Sequence, residues 1–186
     1  MLTFIAKLIF AVSGWKVDPQ SPTHIRRAVM TAAPHTSNWD IVYARAAFFL
    51  LGLPVRFTIK KEWMRFPFGL ILRPLGAIPI DREYRHGKKV SMVQAMIELF
   101  DQYDELIILI TPEGTRQYTP EWRSGFYRVA QGAHVPIMMG YLDYQNKIAG
   151  VSTIVLSPSG NIDTDIATMK DFYRTIPGRH PERGIR

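Results

Sequence analysis

Apolar residues along this chain follow two alternating rhythms. Short aliphatic runs at 28–33, 55–59, 77–80 and 106–110 have the length and branching of buried strands. Between them lie stretches with helical spacing. The first covers 39–51, with Ser37 or Asn38 as candidate caps and Gly52 and Pro54 as stops. A short helix is expected at 67–73, and Val90, Val93, Ile97 and Phe100 form one face of another. Residues 125–131 also read as helix. Two longer runs, 137–144 and 148–156, read as paired strands joined by the turn Gln145-Asn146-Lys147. Ile166, Met169, Phe172, Tyr173 and Ile176 mark a final helix. Such alternation predicts an α/β domain with a mostly parallel central sheet flanked by helices.

The first 12 residues are apolar apart from Lys7 and the terminal amine. A helix needs ~20 apolar residues to cross a bilayer, so this run is too short to span one. It lacks the basic start and small-x-small cleavage site of a signal peptide. A short amphipathic helix over 1–14 is expected, lying at a membrane interface, with packing on the core as the competing expectation. The chain shows no repeat, low-complexity tract or linker, so one domain over 1–186 is expected, with a flexible tail at 180–186.

Composition narrows the chemistry. With 47% hydrophobic and 21% charged residues, the 186-residue chain can bury a sizeable core. It has no cysteine, which removes thiolate nucleophiles, disulfides and Cys-ligated metals. The five histidines have no paired ligand spacing, so no metal site is expected. The formal net charge of +7 attracts polyanions. Around Lys60 and Lys61 the basic residues are interleaved with Trp63, Met64, Phe66 and Phe68, a mixture suited to a lipid headgroup region more than to a nucleic-acid backbone. No nucleic-acid partner is expected. The Phe48-Phe49-Leu50-Leu51 run is expected in the core instead.

Three constellations carry candidate chemistry. In Pro34-His35-Thr36-Ser37-Asn38-Trp39-Asp40, a strand end meets a helix start. There the Asp40 carboxylate can fold back to the imidazole, fix its tautomer, and leave Nε2 free to take a proton from a hydroxyl. Alone, the pair reads more readily as a loop histidine and a helix-start carboxylate. Ser37 lacks the Gly-x-Ser-x-Gly elbow of serine hydrolases. The second constellation, Thr111-Pro112-Glu113-Gly114-Thr115-Arg116, follows the 106–110 strand directly; Arg116 offers a planar fork for phosphate. In the third, Gly76 to Arg82, the pair Asp81-Arg82 closes a strand, and Arg82 is another candidate phosphate ligand.

Taken in order, these blocks resemble the glycerolipid acyltransferases, the 1-acylglycerol-3-phosphate acyltransferase family that makes phosphatidic acid from lysophosphatidic acid. His35 and Asp40 match the family's His-x4-Asp motif, and Glu113, Gly114, Thr115 and Arg116 match its Glu-Gly-Thr-Arg block. Lys60-Lys61-Glu62, Gly76 to Arg82, and Val135-Pro136-Ile137 resemble three further blocks. The resemblance implies direct transfer of a fatty acyl group from acyl-CoA or acyl carrier protein to a hydroxyl of a lysophospholipid, with 1-acylglycerol 3-phosphate as the default acceptor. It makes His35 the general base and Asp40 its orienting partner. No covalent acyl-enzyme and no cofactor beyond the donor are implied. Lys60, Lys61, Arg82, Glu113, Gly114, Thr115 and Arg116 would lie at the acceptor's phosphate; of these only the cations make physical sense as its direct ligands. The implied location is cytoplasmic, peripheral on the inner face of the cell membrane. Many members carry a longer N-terminal helix pair or a transmembrane segment before the histidine block; here 34 residues precede His35. Two other readings compete: acylation of a different lysolipid such as a hydroxylated N-acyl amino acid, and a non-catalytic module that binds anionic lipid.

Overall fold

A computed structural model describes residues 1–80, 84–85, 88–89 and 91–186. In chain order the elements are α1 (Leu2–Ser13), β1 (Lys16–Val17), β2 (Arg27–Ala32), α2 (Asp40–Leu51), β3 (Val55–Lys60), a 3₁₀ turn (Lys61–Met64), α3 (Phe68–Leu72) and β4 (Ala77–Ile80). There follow β5 (Tyr84–Arg85), β6 (Lys88–Lys89), α4 (Met92–Phe100), β7 (Leu106–Ile110), α5 (Gly125–Gly132), β8 (Ile137–Asp143), β9 (Ile148–Leu156), α6 (Ile162–Arg174) and a second 3₁₀ turn (Pro181–Arg183).

Seven strands form one sheet in the order β1-β9-β8-β2-β7-β3-β4. All its neighbours are parallel except β8 and β9, which form an antiparallel pair. The expected α/β class and mostly parallel sheet are therefore present. Apart from this sheet, β5 and β6 pair as a small antiparallel ribbon.

The period-two pattern of strands sorts side chains onto the two faces of the sheet. Val29 of β2 and Leu106 and Ile108 of β7 face one way, packing with Phe126 and Val129 of α5 and with Met169 and Tyr173 of α6. Ala28 and Met30 of β2 and Ile107 of β7 face the other way, against Phe48 of α2. Outside that layer, α1 packs Ala6 and Phe10 with Ala46 and Ala47 of α2 and with Trp15. The opposite side of α1 leaves Phe4, Leu8 and Val12 in solvent. Its inner face is thus core and its outer face an unpaired apolar stripe. No helix among the described residues is long and apolar enough to cross a membrane.

Two local expectations need correction. Neither Ser37 nor Asn38 caps α2: Trp39 occupies the cap position and no side chain caps the helix. The Ser37 hydroxyl instead accepts from the Trp39 amide at 3.2 Å, and the amides of Thr36 and Ser37 turn to the Asp40 carboxylate. Ile176 lies beyond the end of α6, which stops at Arg174. The expected Val90 position lies outside the described residues.

Candidate active site

Strands β2, β7, β3 and β4 run parallel, so their carboxyl ends share one edge, where sites of open α/β sheets collect. Three ordered blocks of the sequence emerge there. His35 follows β2, Glu113 follows β7, and Lys60 ends β3. Asp81 and Arg82 follow β4 in sequence but lie outside the described residues.

The loop from β2 into α2 folds around the Asp40 carboxylate. Its Oδ2 lies 2.9 Å from Nδ1 of His35 and accepts the backbone amides of Thr36 and Ser37, each at 3.0 Å. Its Oδ1 accepts the phenol of Tyr144 at 2.6 Å. Burial pushes the acidity of Asp40 upward, but donation from His35, Tyr144 and Ser37 outweighs it, and the pKa falls below the ordinary value. Asp40 is therefore an anion at neutral pH, only 7% exposed, and it fixes the imidazole with Nδ1 as the donor. The other ring nitrogen, Nε2, has no protein partner among the described residues.

Glu113 completes the frame. Its Oε2 accepts the His35 backbone amide at 2.8 Å, which ties the end of β7 to the end of β2. Burial raises its pKa, partly offset by that amide. The carboxyl group thus points at the histidine backbone. Lys60 and Lys61 are exposed at the end of β3, two strands along the sheet from β2, or ~10 Å at ordinary strand spacing. Thr115 and Arg116 are exposed on the Glu113 turn, where Gly114 takes a left-handed φ of +64° that favours glycine. The geometry thus joins His35, Asp40 and Glu113 directly and leaves the cations around them.

Tyr144 was not singled out by the sequence, yet it contacts Asp40 across 104 positions. It immediately follows β8, which also runs parallel to β2, so its place at a strand's carboxyl end was the available signal. Burial and the neighbouring Asp40 anion push its phenol pKa far up, so it stays a proton donor. Its ring meets Trp15 edge-on at 4.9 Å, and Trp15 stacks on Tyr43 at 4.5 Å. Behind it, the Tyr144 amide donates to the carbonyl of Pro177, and the His180 amide donates to Oγ1 of Thr36. The segment after α6, including the start of the 180–186 stretch, therefore lies against the loop that carries the dyad.

β3 and β7 are laddered only at Val55 and Arg56, and beyond these residues the two strands no longer pair. A cavity of about 230 Å³ occupies this region, lined by His35, Asp40, Phe57, Leu109 and residues of α2. A second one of about 560 Å³ lies between α1, α2, β3 and α3. Its lining is almost wholly apolar, and it shares Ile41, Arg45 and Phe57 with the first. Arg45 donates Nη1 to the Val55 carbonyl at 2.8 Å and sits 4.5 Å above the Phe49 ring. Burial, reinforced by Arg56, brings its pKa down to about 10, so it remains a cation at neutral pH. Among the described residues no cluster of His, Asp and Glu is arranged to hold a metal.

An anion-fixed imidazole beside an apolar cavity has the chemistry to act as a general base toward a hydroxyl. Comparison with known proteins gives the fold and the family. The crystal structure of the 1-acyl-sn-glycerophosphate (LPA) acyltransferase PlsC from Thermotoga maritima superposes with a TM-score of 0.63 at 14% identity, over 92% of this chain and 76% of that one. At that identity the likeness is one of fold. No curated protein matches. The family model described as Acyltransferase matches residues 16–139, well over half of the sequence and inclusive of the His35, Asp40 and Glu113 blocks, and the chain belongs to the acyltransferase family.

Proposed function

We propose that this acyltransferase moves a fatty acyl group from acyl-CoA or acyl carrier protein to the free hydroxyl of 1-acylglycerol 3-phosphate. The observation that carries the reading is the His35 ring, held through Nδ1 by Asp40 at 2.9 Å while lining the cavity that meets the apolar one. Nε2 takes the proton from the acceptor hydroxyl as its oxygen attacks the thioester carbonyl. Asp40 stabilises the imidazolium so formed. Collapse of the tetrahedral intermediate breaks the C–S bond, and the imidazolium returns the proton to the departing thiolate. No acyl-enzyme forms, and nothing beyond the donor and the acceptor is consumed.

The apolar cavity suits the acyl chain, with α1 and α3 as its walls. The exposed cations Lys60, Lys61 and Arg116 suit the phosphate, with Arg82 as a further candidate. The same edge carries the exposed apolar residues Trp63, Phe66, Phe68, Leu70 and Ile71, and α1 carries an exposed apolar stripe of its own. That surface, interleaved with basic residues, supports a peripheral position on the cytoplasmic face of the cell membrane.

The test is transfer of labelled acyl groups by the purified protein, with acyl-CoA and acyl carrier protein as donors. The acceptor panel should include 1-acylglycerol 3-phosphate and a hydroxylated N-acyl amino acid. His35→Ala should abolish turnover while leaving vesicle binding in place. Retained turnover in that variant would refute the mechanism, and a preference for the N-acyl amino acid would reassign the acceptor.

A further inference from the structure

The left-handed φ of Gly114 explains a glycine at that position, but the space beside it carries a second message. A Cβ on Gly114 would lie 2.8 Å from both Cζ and Nε of Arg123 and 3.1 Å from its Nη1. The Arg123 guanidinium therefore rests directly on the backbone of the Glu113–Arg116 turn. Its own backbone holds it there, because the Arg123 amide donates to the carbonyl of Pro112 at 2.9 Å. Both ends of Arg123 are tied to one turn, although it stands seven residues beyond Arg116.

No carboxylate neutralises this guanidinium among the described residues. The acid on that turn, Glu113, is buried and committed to the His35 amide. Arg123 is exposed, as is Arg116 on the same turn. Arg116 on the turn and Arg123 resting against it therefore present two planar forks to solvent, three and ten residues along the chain from Glu113. Forks of this kind pair with phosphate through two parallel N–H donors, and lysine cannot reproduce that geometry.

We propose that Arg123 is a second anion ligand of the active site, taking a phosphate group together with Arg116, and that Gly114 is required because any side chain there would displace it. The site deepens the acyl-transfer reading, on which it rests for the identity of its ligand. Two substrates of that reaction bring phosphate: the acceptor through its monoester and the donor through its phosphopantetheine arm or CoA diphosphate.

Steady-state kinetics of Arg123→Ala, Arg123→Lys and Gly114→Ala decide the matter. Arg123→Ala should raise the KM of one phosphate-bearing substrate by about 10-fold, the size of one lost charge-assisted hydrogen bond, with a much smaller effect on kcat. A rise for 1-acylglycerol 3-phosphate that is not matched by monoacylglycerol places the acceptor's phosphate there. A rise confined to the donor places the donor's phosphate there. Arg123→Lys should recover only part of the loss. Gly114→Ala should raise the same KM, and the Gly114→Ala/Arg123→Ala double variant should be no worse than the weaker single one. Unchanged KM values for both substrates in Arg123→Ala overturn the proposal, as does full additivity in the double variant. Calorimetry with glycerol 3-phosphate and coenzyme A as probes separates this site from the proposed reaction. Weaker binding of either probe by Arg123→Ala supports the site even if the wild-type protein transfers no acyl group; equal binding of both refutes it.

Discussion

The phenol of Tyr144 donates to Oδ1 of Asp40 at 2.6 Å, the carboxylate oxygen that His35 does not use. Both oxygens of the anion are thus engaged, and its orientation toward the imidazole is fixed from two sides. A tyrosine on the turn after β8 completes a motif that begins on the loop after β2. Removing the hydroxyl should loosen the carboxylate without removing it.

Tyr144→Phe is therefore expected to lower kcat by about 10- to 100-fold, matching the ~1.5–3 kcal/mol typical of a hydrogen bond to a charged group. Loss of a donor to the ionised form raises the pKa of Asp40, so the acid limb of the activity profile should move to higher pH. A pH–rate profile checks both. A variant that loses activity with an unmoved acid limb would show that Tyr144 only packs.

Glu113 and Asp40 should leave opposite signatures in stability against pH. Asp40 has a depressed folded pKa, so its stabilisation is present above its ordinary value of 3.8 and is lost as pH falls through the folded value. Glu113 has a raised folded pKa, so its ionisation costs stability as pH rises from its ordinary value of 4.5 through the folded value. Glu113→Gln keeps an acceptor for the His35 amide and removes that cost. Its stability relative to wild type should therefore improve between pH 4 and pH 7 in urea titrations. A difference that is flat or falls over that range would contradict the burial assignment.

Ile5 lines the large apolar cavity from α1 and is partly exposed, so a larger side chain there need not overpack the core. Ile5→Trp should shorten the preferred acyl chain and lower turnover of the longest donors, while short donors keep near wild-type rates. Competition among donors of graded length measures it. An unchanged length profile would place the chain elsewhere.

Phe66 is 84% exposed and Leu70 is 70% exposed, beside Lys60, Lys61 and Arg65. Replacing both with aspartate removes apolar area and opposes the basic charge, at little cost to folding. Sedimentation with anionic vesicles should drop several-fold, with circular dichroism unchanged. Retained binding would move the membrane contact to the outer stripe of α1.

Much of this protein was legible in its sequence because much of it is local. The apolar run at 106–110 coincides with β7, since a strand covered on both faces needs a short continuous run, and the run at 77–80 coincides with the edge strand β4. The His35 and Asp40 pair was legible for the same reason: five residues at a strand-to-helix junction suffice to bring carboxylate and imidazole together. The helix cap was misassigned because Ser37 and Asn38 have the right chemistry for a cap, whereas the Asp40 carboxylate draws the loop amides to itself. The third partner of Asp40, the framing of His35 by Glu113 and the seat of Arg123 on Gly114 follow from the strand order β8-β2-β7 and from turns folded onto it. That order depends on which strand faces find each other across 70 or more residues, a free-energy balance over the whole core that no local pattern records. Local sequence was enough to pair His35 with Asp40, whereas what holds that pair still and what else stands beside it came from the packing of distant strands.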